Sequence, residues 1–221
     1  MSVLLIIIII ICLYKREQDR KLLRTVTTTE GGTRSERKFV LRLLKSGIPT
    51  VTIYHDMYVP KSNGQYSQID AVVLTKVGII VFEVKDYSGW LFGNGYHDYW
   101  TQVLSYGEEK HRFYNPIKQN ASHIASLKEG LKHCADVPFF SVIVFYGNCV
   151  LKNVSNIPPY TFIIDPNNLN RLMATIVDNN PPANYADKWG TIEIMKRYVA
   201  NGRNEWIRSQ HIRNVRNILD R

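Results

Sequence analysis

Cysteine is scarce in this chain, with only Cys12, Cys134 and Cys149 among 221 residues. An odd number, at spacings that match no zinc pattern, argues against a disulfide framework and a structural zinc site. Reduced, mostly buried thiols of a cytosolic protein are the expectation. The basic n-region and small-residue cleavage site of a secretory leader are also missing. There is no internal repeat and no helicase, kinase or zinc-ribbon segment. His55, His97, His111 and His123 fall at no metal-ligand spacing and read as ordinary surface or core histidines. Acids are outnumbered, 19 against 28 Lys and Arg, for a net charge of +9. That balance favours anionic partners, nucleic acid or an acidic membrane surface, without choosing between them.

What is present suffices for a packed core. Hydrophobic residues make up 45% and charged residues 21%, which argues against disorder and suits one domain of ordinary size with a small extension. The exception is an unbroken apolar run, Val3 to Leu13, followed by Tyr14 and then Lys15, Arg16, Arg20, Lys21 and Arg24. The run is short against the roughly 20 residues of a full transmembrane helix. Positive charge behind it holds that side in the cytoplasm. The expectation is a single, uncleaved N-terminal membrane anchor, a short transmembrane helix over residues 1–14. A strand buried in the domain is the competing reading.

Residues 15–32 read as a polar helical extension and linker. From Thr33 to Ser46, Phe39, Val40, Leu43 and Leu44 form one apolar stripe of helical spacing, with Thr33 or Ser35 to cap it. Thr50 to Val59 reads as a strand. Gln68–Leu74 and Gly78–Lys85 are dense in β-branched residues across a short gap and read as a hairpin. Trp90–Gly95 and Tyr99–Leu104 form a second pair, turning near Asn94-Gly95. Asn115-Pro116 opens a helix to about His133. Phe139–Phe145 and Thr161–Ile164 read as strands, and residues 167–178 and 185–200 as helices. A basic helical tail, 203–221, carries Arg203, Arg208, Arg213, Arg216 and Arg221, either a solvated face or a set of phosphate contacts.

The chemistry centres on the first hairpin. A turn between Lys76 and Val77 sets Asp70 directly opposite Glu83, with Cβ atoms about 5 Å apart. Lys85, two residues on, shares the face of Glu83. Facing like charges in apolar strands cost stability, and a divalent cation between them removes that cost. Carboxylates and water suit Mg²⁺ or Mn²⁺. Lys85 would then orient or help deprotonate a water, or neutralise charge developing on a phosphate. Taken singly, an Asp in a strand or a Glu-x-Lys is usually an edge, a solvated face or an ion pair. Trp90 and Trp100 read as packing residues, with base stacking as the functional alternative.

This Asp…Glu-x-Lys arrangement resembles the signature of the restriction-endonuclease-like PD-(D/E)xK superfamily. The blocks Gly32-Thr-Arg-Ser-Glu36, Gln68-Ile-Asp70, Gly78-Ile-Ile-Val-Phe-Glu-Val-Lys85, Gly89, Trp100 and Asn115-Pro-Ile-Lys-Gln119 narrow it. In order and spacing they resemble the NERD (nuclease-related) domain, over about residues 31–150. The resemblance implies an α/β, restriction-endonuclease-like core, a mixed central sheet flanked by helices, over 33–150. Residues 151–221 would extend the same domain. It implies a Mg²⁺- or Mn²⁺-dependent nuclease, DNA ahead of RNA as partner, in which Asp70 and Glu83 bind metal and Lys85 is the catalytic lysine. Glu36 would be a helix-borne acid approaching the metal, and Gln119 a flanking helix residue. The family often has Gly-Glu adjacent before its first helix; here Gly-Thr-Arg-Ser-Glu intervenes, and Glu36 is the least constrained of the acids. The alternative is a catalytically silent module that keeps the fold to bind nucleic acid or protein.

Overall fold

The structure is a computed structural model and describes residues 3–28, 31–104, 107–132 and 137–219. Cys134, His133 and Arg221, and the side chain of Arg216, lie outside the described residues.

The chain opens with α1 (Val3–Arg24) and α2 (Arg34–Lys45). After a short 3₁₀ turn at Thr50–Thr52 come β1 (Ile53–Pro60), β2 (Tyr66–Thr75) and β3 (Gly78–Asp86). Then follow β4 (Gly89–Asn94), β5 (Tyr99–Leu104) and β6 (Glu109–Tyr114), α3 (Pro116–Gly130), β7 (Phe139–Tyr146), β8 (Cys149–Ser155) and β9 (Thr161–Ile164). The chain closes with α4 (Leu169–Asp178), α5 (Lys188–Gly202) and α6 (Glu205–Leu219).

Two mixed sheets result. The larger has the order β1-β2-β3-β7-β9 and the smaller β6-β5-β4-β8. In the larger, β1, β2 and β3 pair antiparallel, while β7 joins β3 and β9 in parallel. The β-branched density of β2, β3 and β7 has a reason: both faces of these strands are covered, so nearly every side chain must be apolar. On one face Phe39, Val40, Leu43 and Leu44 of α2 and Leu169, Leu172 and Ile176 of α4 pack against Phe82, Val142 and Val144. On the other, Leu127 of α3 and Met195 and Tyr198 of α5 pack against Val72, Ile79 and Val81. The smaller sheet sends Leu91 and Trp100 against Ile143 and Phe145. The Phe39 and Phe82 rings meet at 4.9 Å; truncating either to Ala should cost about 3–5 kcal/mol.

The helix caps follow the sequence. Thr33 accepts from the Glu36 N–H and starts α2. Asn115 accepts from the Ile117 N–H and starts α3. The fold is the α/β, restriction-endonuclease-like class expected, and two strands escaped the reading. β6 is polar and exposed along most of its length, and β8 is exposed too, so neither carries a core-facing alternation. Cys12 is exposed and Cys149 half-buried, both free thiols, which corrects the expectation of burial. Among the described residues no helix is long and apolar enough to cross a membrane. The expected transmembrane helix therefore falls short: α1 continues through Lys15 and Arg16 as one polar-ended helix rather than stopping at a linker. Its distal half is docked, Asp19 pairing with Lys45 at 2.6 Å and Leu22 and Leu23 packing on the core.

Candidate active site

The β2–β3 hairpin turns on Lys76-Val77 and runs in the register Thr75↔Gly78 through Ala71↔Phe82. The next rung would set Asp70 against Glu83, but there the ladder stops. Asp70 instead accepts the Val84 N–H on Oδ2 at 2.7 Å, so a carboxylate replaces the strand partner. The neighbouring strand turns at the same level. Asp56, where β1 faces Asp70, is left-handed at φ 52°. Ile53 lies in the core on the α2 side, whereas Met57 and Val59, of the same parity, face α5. The strands thus exchange faces at Asp56 and Asp70.

Glu83 is 1% exposed. Its Oε1 lies 2.7 Å from Lys85 Nζ, and its Oε2 lies 3.2 Å from His123 Nε2. Lys85 Nζ also donates to Gln119 Oε1 at 3.0 Å. His123 Nδ1 is 2.7 Å from Ser67 Oγ. Gln119 and His123 are four residues apart and face the hairpin from one side of α3. That helix is fixed at its start because the buried Asn115 side chain donates to the Asn94, Gly95 and His97 carbonyls. Further along, Asn120 donates to the Val81 carbonyl of β3 and to Ser141.

Glu36 reaches the site from α2. Its Oε1 accepts the Thr33 hydroxyl at 2.7 Å, and its Oε2 stands 4.0 Å from His55 Nε2, both atoms without hydrogen-bond partners. His55 Nδ1 is 2.7 Å from Thr27 Oγ1. Gly32 lies beside this gap at φ +64°, where a Cβ would come within 2.4 Å of Glu36 Oε2; only glycine fits there.

Burial sets the acids apart. It raises Asp70 well above the ordinary carboxylate range, and the charges of Glu83 and Glu36 raise it further. Burial also raises Glu36. It would raise Glu83, but the hydrogen bond from His123 and the Lys85 ammonium outweigh it and hold Glu83 low. Burial would lower Lys85, and Glu83 more than reverses that, keeping the amine cationic. Without another cation the site favours the charged carboxylate at Glu83 and disfavours it at Asp70.

All five residues expected from the sequence thus take buried or half-buried positions around the hairpin. Asp70, Glu83, Lys85 and Gln119 are brought together directly, and Glu36 acts on Asp70 through its charge. Among the described residues no group of three His, Cys, Asp or Glu side chains is arranged to hold a metal as it stands. Sequence reasoning missed His123 and Ser67. The signal for His123 was its place one helical turn beyond Gln119; Ser67 gave none. Trp100 is a packing residue, its Nε1 donating to the Asn94 carbonyl. Trp90 is half-buried beneath the Lys152 ammonium.

Comparison with known proteins gives two findings. A family model described as "Nuclease-related domain" matches residues 31–146. A protein of Bacillus anthracis described as uncharacterized is 29% identical over 142 residues, which is 64% of this chain and 65% of the relative, so the chain spans about two thirds of that relative's length. No solved structure matches the chain significantly.

Proposed function

This chain belongs to the nuclease-related domain (NERD) family, and we propose that it hydrolyses phosphodiester bonds in nucleic acid, DNA ahead of RNA, with Mg²⁺ or Mn²⁺. The observation that carries the reading is the pair of acids on the β2–β3 hairpin. Asp70 is pushed toward its neutral form by burial and by Glu83, and the buried Oε2 of Glu36 lacks a hydrogen-bond partner. A buried acid pair of this kind is destabilising by itself and suits a divalent cation.

Asp70 and Glu83 would hold the ion, with Glu36 approaching; hard carboxylate oxygens are the donors Mg²⁺ and Mn²⁺ select. When bound, the cation supplies Lewis acidity toward a phosphoryl oxygen and neutralises the carboxylates. Lys85 stays protonated and is aimed by Glu83 and Gln119. Its role is to stabilise charge developing on the phosphate rather than to take a proton. Ser67 and His123 hold the Glu83 carboxylate in place. The net charge of +9 would steer a polyanion toward the site.

Attachment to a membrane is the second part of the proposal, with the domain on the cytoplasmic side. Val3–Ile11 and Leu13 of α1 are 41–73% exposed, an apolar surface that costs about 25 cal/mol per Å² in water. The apolar half of α1 would lie in lipid and its basic half at anionic head groups. Nuclease assay on DNA and RNA, with Mg²⁺, Mn²⁺ or chelator, tests the activity. Full activity in chelator or in Asp70→Ala would overturn it, and only binding without cleavage would favour the silent module.

A further inference from the structure

A second site lies away from the hairpin acids. Where α1 ends, Thr25 and Val26 enter the wall of a cavity of about 900 Å³, within the range of small-molecule sites. Its walls are apolar, with Ile53 and Leu74 from the β1–β2 end and Ile192 and Val199 from α5. Tyr185 closes one side, its hydroxyl donating to the Thr75 carbonyl. Four cations, Lys76, Lys188, Lys196 and Arg203, line it among the described residues, and no acidic side chain does. Lys196 pairs outward with Glu193 at 2.9 Å. Trp189 and Val51, also in the lining, are 78% and 75% exposed. The cavity shares no residue with the candidate active site. Leu74 and Thr75 are four and five residues along β2 from Asp70, about 13–17 Å at the rise of a strand.

Apolar walls with a cationic lining suit a ligand that is apolar along its length and anionic at one end. The position names its source. The cavity opens at the foot of the helix whose other half exposes an apolar surface, with Lys21 and Arg24 in the last turn between them.

We propose that this cavity takes an acyl chain of an acidic phospholipid from the bilayer and holds its anionic head group with Lys188, Lys196 and Arg203. The proposal rests on the attachment of α1 to a membrane. A basic side chain near an anionic lipid surface strengthens association by about fivefold, so the cationic lining distinguishes this ligand from a neutral lipid.

The test uses the full chain on vesicles of mixed phosphatidylglycerol and phosphatidylcholine, with bromine on the acyl chains of one lipid at a time. Flotation reads the attachment of α1. Quenching of Trp189, taken as the difference between wild type and Trp189→Phe, reads the cavity. Brominated phosphatidylglycerol should quench Trp189 several-fold more than brominated phosphatidylcholine. Ala183→Phe, which fills the wall, and Lys188→Glu with Lys196→Glu, which reverses exposed charges and leaves the core intact, should each remove the difference. A chain that does not float overturns the bilayer as source. A chain that floats with equal quenching by both lipids, or with quenching unchanged in both variants, overturns the cavity alone; the lining would then be covered by a neutral ligand or by a second copy of the chain.

Discussion

Two hydroxyl–histidine–carboxylate chains flank the hairpin, and they are not equivalent. Ser67, His123 and Glu83 form a closed chain, with steps of 2.7 and 3.2 Å. Thr27, His55 and Glu36 repeat the order with a first step of 2.7 Å, but the second opens to 4.0 Å. The closed chain holds Glu83 as a carboxylate. The open chain leaves Glu36 raised by burial and His55 lowered by it to about 4. One arrangement therefore favours a negative charge beside Lys85. The other is a partly unsatisfied cluster in which burial disfavours charge on both groups, and its Glu36 also serves the cap of α2. The same residue types shift their carboxyls in opposite directions because one has Lys85 as a neighbour and the other has only a hydroxyl.

The comparison breaks first at its strong end. Glu83→Gln or Lys85→Met should lower nuclease activity by roughly 10³-fold or more, with the fold retained by circular dichroism. Glu36→Gln, in the open chain, should lower it far less. Equal losses would mean that the two carboxylates do the same work.

The open chain should show itself in acid. His55 has a folded value of about 4 against an ordinary 6.5. A depressed value contributes stability that is present above pH 6.5 and lost as pH falls through about 4, an effect of roughly 3 kcal/mol. Denaturant titrations between these limits should fall steeply for the wild type and less for His55→Gln. A parallel fall in both would remove His55 as the cause.

Metal sharpens the contrast from the other side. Asp70 is raised, so its contribution is present at low pH and lost as pH rises through its folded value. Mg²⁺ or Mn²⁺ should cancel that loss, stabilising the domain by about 2.7 kcal/mol at a hundredfold excess over Kd. Asp70→Asn should abolish both the pH-dependent loss and the metal effect, as read by thermal melts; a metal effect that survives places the ion elsewhere.

The smallest effects come from the hydroxyls. Ser67→Ala should lower activity about tenfold, as loss of a group that orients a ligand does, and cost about 1 kcal/mol because the buried His123 Nδ1 loses its partner. Thr27→Val should cost about 1 kcal/mol and leave the rate unchanged.

Several features of the fold were legible because they rest on local chemistry. The Phe39–Leu44 stripe gave α2 and the Asn115-Pro116 cap gave α3. The short gap at Lys76-Val77 gave the hairpin register down to Ala71↔Phe82. β6 and β8 were not legible, since an exposed strand carries no burial pattern to read. In the site, Glu83 and Lys85 were readable from strand alternation, and Gln119 through the family resemblance. His123 was dismissed because its partner lies on another element, 40 positions away in the chain.

The sequence by itself determined which acids could face each other, because a two-residue turn and a strand period of two leave one register. Only the tertiary structure decided which of them is shifted up and which down. Asp70 and Glu83 are both buried carboxylates, and nothing in β2 or β3 alone tells them apart. Asp70 takes a backbone N–H where the ladder breaks, while Glu83 meets Lys85 and the histidine of a helix brought across it by the Asn115 cap. Desolvation acts on both, and the compensating cation and donor reach only one.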